Sequence, residues 1–81
     1  MRVRVRLFAA LKDAVGSGEI ELDLPSPATA EDAWGRLAQL HPALAPRRAH
    51  VAAAVNRSYV GFDAPVADGD EVAFIPPVSG G

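Results

Sequence analysis

Hydrophobic and polar positions alternate from residue 3 to residue 8, with Val3, Val5 and Leu7 on one side and Arg4 and Arg6 on the other. A period of two predicts a half-buried strand with one wet face. The spacing then changes: Phe8, Leu11 and Val15 stand at i, i+3 and i+7, a helical stripe closed by Gly16-Ser17-Gly18. Residues 19–24 alternate again and end at Pro25-Ser26-Pro27, a second strand and its stop. Thr29 before Glu31 and Asp32 reads as a helix N-cap with acids in the first turn. Ala33, Leu37 and Leu40, with Trp34 beside them, predict the buried stripe of the main helix, and His41-Pro42 its end. Gly35 within that helix costs about 1 kcal/mol relative to Ala. Residues 43–49 predict a turn or a short helical piece. Residues 50–55 predict a strand, Asn56-Arg57-Ser58 a turn, Tyr59-Val60 a short strand, and Asp68-Gly69-Asp70 a tight turn into a last strand over residues 72–75.

The order strand, helix, strand, long helix, strand, short strand, strand predicts an α+β domain. Four to five strands form a mixed sheet, and one main helix packs across one face. If the terminal strands pair, the first strand sits near the middle; a β-grasp arrangement fits this order. No repeat, low-complexity tract or linker divides the chain, so a single domain over residues 1–81 is expected.

The last strand runs into Pro76-Pro77-Val78-Ser79-Gly80-Gly81. Two prolines donate no N–H and fix φ, so the sheet stops and a semi-stiff stem begins. A tail over residues 76–81 is expected to be flexible and to reach roughly 20 Å when extended. Gly80 and Gly81 lack a Cβ and could thread a channel that any side chain would block. What such a tail presents is the carboxylate of Gly81. The alternative is a frayed end of small residues with no role.

Composition narrows the chemistry. The 81 residues are 49% hydrophobic and 22% charged, with a net charge of −2 and no cysteine. The apolar share suffices for a compact core and argues against disorder. The charge gives no bulk attraction for nucleic acid or anionic membrane. Without cysteine there is no disulfide, thiolate nucleophile, iron–sulfur cluster or cysteine-zinc site. The apolar run Leu7–Leu11 is too short for a signal-peptide core and no run has transmembrane length, which makes a cytoplasmic location the default. Arg2, Arg4 and Arg6 could form an RNA-binding stripe, but a wet strand face is the simpler reading, and one arginine could instead meet an acidic patch on a partner. Asp68-Gly69-Asp70-Glu71 lacks EF-hand spacing and reads as a turn. His41 and His50 have no metal-ligand spacing, and Ser17, Ser26, Ser58 and Ser79 lack a His-Asp pattern.

Leu7-Phe8-Ala9-Ala10-Leu11, Ala54-Val55-Asn56 and above all the block from Asp68 to Gly81 resemble the small subunits of molybdopterin synthase (MoaD). The resemblance spans nearly the whole chain, although residues 17–50 carry little that is diagnostic. It implies a ubiquitin-like β-grasp fold acting as a sulfur carrier. An E1-like enzyme would adenylate Gly81 with ATP, a sulfur donor would displace AMP, and the Gly81 thiocarboxylate would form the molybdopterin dithiolene inside the large subunit. In that scheme the chain is a non-catalytic donor subunit. It binds no permanent cofactor and no metal, and two copies would sit on a dimeric large subunit. The resemblance also implies Phe8, Tyr59 and Ile75 as partner-facing positions; Phe8 and Tyr59 are plausible anchors as aromatics. For Phe8 and Ile75 a core position is the alternative. A related family commonly carries Phe at the Ile75 position and an aliphatic residue at the Tyr59 position. Sulfur carriage for thiamine or tRNA thiolation, a ubiquitin-like protein modifier, and a plain binding module remain the rival readings.

Overall fold

A computed structural model describes residues 1–76. Seven strands, two α-helices and a 3₁₀ segment follow in the order β1 (Arg2–Leu7), α1 (Ala9–Val15), β2 (Glu19–Asp23), β3 (Ala28–Thr29), α2 (Ala30–Leu40), the 3₁₀ segment Pro42–His50, β4 (Ala52–Val55), β5 (Ser58–Val60), β6 (Pro65–Val66) and β7 (Glu71–Ile75). The main sheet has the strand order β2-β1-β7-β4-β5. β1 and β7 are parallel and the other pairings antiparallel, so the sheet is mixed. The expected ubiquitin-like arrangement is present, with β1 next to a central β7 and α2 across one face. β3 and β6 add a two-stranded sheet that hydrophobic periodicity does not reveal, because strands of two residues are too short to show a period.

One sheet face makes the core. Val3, Val5, Leu7, Leu22, Ala53, Val72 and Phe74 are buried there against Leu11, Ala33, Trp34, Leu37 and Leu44. Phe74 is fully buried and edge-on to Trp34, with centroids 5.1 Å apart, and stacks on Phe62 at 6.0 Å. Arg48 caps the stack, its guanidinium 3.4 Å from the Phe62 centroid, and reaches Glu31 on α2 through two hydrogen bonds of 2.8 Å. Chiefly that hydrogen-bonded fork holds the Glu31 carboxyl below its ordinary range, against the opposing effect of desolvation.

α2 starts where its sequence indicates. Thr29 caps it in a reciprocal box: its Oγ1 accepts from the Asp32 N–H and its own N–H donates to Asp32 Oδ2. Two expectations of the helical stripes are corrected. Leu40 is half exposed: the buried side of α2 is Ala30, Ala33, Trp34 and Leu37, and Leu40 is the last residue of the helix. Phe8 is not part of the α1 stripe; it is the extended residue before that helix, and of α1 only Leu11 is fully buried. His50 closes the 3₁₀ segment rather than opening a strand; Pro42 and Pro46 hold that segment away from both sheet and α-helix.

The turns feeding β7 are fixed by side chains. Gly69 sits at φ +86, a conformation that suits glycine, and the Asp68 and Asp70 carboxylates accept from the backbone N–H groups of Arg2 and Ala67. These carboxylates brace the turn. Asn56, at φ +50 between β4 and β5, donates to Asp70 and accepts from the Glu71 N–H, tying the hairpin to the start of β7.

Candidate functional site

The tail leaves from the central strand of the sheet. β7 is hydrogen-bonded on both sides, and Phe74 plugs the core one residue before Ile75 and two before Pro76. Of the predicted site residues, Pro76 follows β7 directly and is half-buried, whereas Pro77, Val78, Ser79, Gly80 and Gly81 lie outside the described residues. The chemistry assigned to Gly81 therefore rests on the sequence, and the structure bears on the ground the tail departs from.

Register brings the three docking candidates to that ground. Leu7 pairs with Phe74, which sets Phe8 level with Ile75; Ala52 pairs with Ile75 from the other side. Val72 and Phe74 point into the core, so Ala73 and Ile75 lie on the opposite face, free of α2. One row across this face reads Glu19, Arg6, Ala73, Ala54, Tyr59. Ala54 and Ala73 lie between Arg6 and Tyr59, both already buried at 5% and 7% exposure. The strands carrying Arg6 and Tyr59 stand on either side, roughly 14 Å apart at about 4.8 Å per strand. Ile75 and Pro76 close the end of this shallow trough.

Tyr59 is 74% exposed and Phe8 39% exposed, two of the exposed large hydrophobics of the molecule. Ile75 is half-buried and outside the core cluster, which places it on the open face rather than in the core. A depression of about 450 Å³ opens between Tyr59, Ile75 and Pro76, with Ala49, His50, Val51 and Ala52 completing its wall. The arrangement offers shape and apolar area; among the described residues there is no group of three or more His, Cys, Asp or Glu able to hold a metal ion. No helix among them is long and apolar enough to cross a membrane.

Two parts of the site were not singled out by sequence. The alanines between Arg6 and Tyr59 have a signal, since alanine is a poor strand former yet fills positions 52–54 and 73. Arg6 was grouped with Arg2 and Arg4, but the stripe is not uniform. Arg2 is drawn to Glu21 and Asp23, Arg4 is exposed, and Arg6 is half-buried with its guanidinium 5.5 Å from the Phe8 ring centroid.

Comparison with known proteins agrees with this fold. The model of the ThiS family matches residues 5–81. The molybdopterin synthase sulfur carrier subunit of Escherichia coli is 39% identical, the match covering 98% of this chain and 99% of the relative. The crystal structure of SAMP1, the small archaeal modifier protein 1 of Haloferax volcanii, superposes over 100% of both chains with a TM-score of 0.91 and 34% identity. The fold also recurs, at a TM-score of 0.71 and 24% identity over 100% of both chains, in a complex of subunits 1 and 2 of the molybdopterin-converting factor from Helicobacter pylori.

Proposed function

We propose that this chain, which belongs to the ThiS family, is the sulfur carrier subunit of a molybdopterin synthase. The observation that carries the reading is the union of a tail root held by the central strand with the exposed aromatic side chains Phe8 and Tyr59 and the depression at Ile75 and Pro76 on the same face. A rigid body docks through Phe8, Tyr59 and Ile75, and the segment beyond Pro76 enters the partner's active site.

The chemistry belongs to Gly81. A terminal carboxyl group ionises near pH 3.5 and at neutral pH is a poor acyl donor. Attack of a carboxylate oxygen on the α-phosphorus of ATP, catalysed by an E1-like enzyme, gives the acyl-adenylate and releases pyrophosphate. A sulfur donor then displaces AMP and leaves the thiocarboxylate. The sulfur is surrendered to a pterin precursor in the large subunit, and Gly81 returns to a carboxylate. In this scheme the described residues supply the body and the docking face, and the large subunit supplies the acid and base. The relative from E. coli is by name a subunit, and a large catalytic subunit is the partner that this trough would meet.

The test is the intact mass of the protein after incubation with ATP, an activating enzyme and a sulfur source. Exchange of one oxygen for sulfur is expected, and it is lost on deletion of Gly81. No exchange, with the enzyme competent on another carrier, overturns the reading. A second reading is favoured by the Haloferax likeness, whose name is that of a modifier. It has the Gly81 adenylate captured by a lysine, and an isopeptide adduct in place of the sulfur shift would identify it. Delivery of the same sulfur to thiamine or tRNA would instead leave the mass shift intact while the pterin precursor went unconverted.

A further inference from the structure

We infer that Arg6 sets the chemistry of the partner: it receives a carboxylate from the large subunit, placed among apolar side chains that cover Phe8, Tyr59 and Ile75. The inference rests on the sulfur-carrier reading for the existence of that subunit.

Register separates Arg6 from its neighbours on β1. Arg4 stands between Glu21 and Glu71, whereas Arg6 stands between Glu19 and Ala73. Arg2 bridges to Glu21 and Asp23, and Arg57 to Glu71. Arg6 makes no ion pair among the described residues, not even with Glu19 across the strand. Its Nε is sealed from solvent and has no hydrogen-bond partner there. The guanidinium lies by Phe8, and the two side chains line a depression of their own with Lys12, Gly18 and Glu19.

A partner that covers Phe8 and Ile75 must also cover Arg6 and strip the remaining water from its head. A cation buried without a counter-charge is costly, while a planar guanidinium meets a carboxylate through paired N–H donors. An apolar surface lacking an acid at that point is rejected, and one bearing it is accepted in a single register. The trough supplies contact area, and Arg6 decides which surface fits it.

The experiment is calorimetric titration of the full-length chain into the large subunit, with thermal unfolding of each free variant. Wild-type binding and Gly81 sulfur loading are measured first. Arg6→Ala should weaken binding about tenfold and Arg6→Glu about a hundredfold, with Arg6→Lys between wild type and Arg6→Ala. Arg4→Ala should bind within about twofold of wild type. The free Arg6→Ala protein should unfold at an unchanged or higher temperature, since the change removes a buried donor without a partner. Binding of Arg6→Glu within about twofold of wild type overturns the inference while leaving the carrier reading standing. So does an Arg6→Ala unfolding temperature that falls in step with the binding loss. Failure of the wild type to load sulfur or to bind overturns the carrier reading itself, and this inference with it.

Discussion

Tyr59 provides the sharpest division between folding and docking. It lies on the edge strand β5, 74% exposed, opposite Ala54, and the core would be little changed by its removal. Tyr59→Ala should therefore lower the stability of the free protein by no more than about 1 kcal/mol, the range of strand-propensity effects. Docking is different. If a partner covers the trough, roughly 100 Å² of the ring leaves water, and at about 25 cal/mol per Å² that is worth ~2.5 kcal/mol. Truncation should then raise the Kd for the large subunit about 70-fold. Leu40→Ala is the control: Leu40 is also half exposed and large, but it ends α2 and does not line the trough. Calorimetric titration of both variants, alongside their thermal unfolding, reads the two quantities separately. Tyr59→Ala binding within about threefold of wild type, or a binding loss equalled by Leu40→Ala, refutes the placement of the docking face.

The remaining predictions concern the scaffold. Gly35 is inside α2 with open space where a Cβ would go, so Gly35→Ala should stabilise the fold by about 0.5–1 kcal/mol, seen as a rise of several degrees in Tm. Asn56→Ala loses two side-chain hydrogen bonds and leaves a non-glycine residue at φ +50 without local support, and should cost about 2 kcal/mol in urea unfolding. Asn56→Gly should recover part of that loss by relieving the backbone alone. The Glu31 carboxyl is held low by Arg48, so its pairing contributes above the ordinary glutamate range and the contribution disappears as the pH falls through the depressed folded value. Both side chains are more than a third exposed, so roughly 0.2–1 kcal/mol separates wild type from Glu31→Gln at neutral pH, with the two converging in acid. A gap that widens in acid refutes the sign.

What was legible in the sequence is what periodicity and punctuation encode. The alternation of β1 fixed its two faces, Thr29 and Asp32 marked the start of α2, and the prolines marked the end of β7. Leu40 and Phe8 misled because a helical spacing does not say where burial ends: Leu40 is the exposed last residue of α2, and Phe8 precedes the helix it was counted in. The role of Ile75 needed the register, since a strand-end aliphatic can face either side until its neighbours are known. The difference between Arg4 and Arg6 was out of reach for the same reason. Identical residues two apart on one strand differ only in what β2 and β7 place beside them.

The strand order explains why so small a body suits a tail-borne reaction. Had the chain ended on an edge strand, fraying would move the tail root along with the docking face. Here the last strand is central, its side chains in the core fix Phe74, and the next residue but one begins the stem. The neighbours that hold it, β1 and β4, also deliver Phe8 and Ala52 to the same end, and the hairpin from β4 brings Tyr59. The contacts that fix the exit thus build the surface around it. A partner seated on Phe8, Ile75 and Tyr59 is aligned with the tail root without further adjustment. A change at the trough should therefore affect the capture of the tail while leaving the fold intact, and a change at Phe74 should affect both.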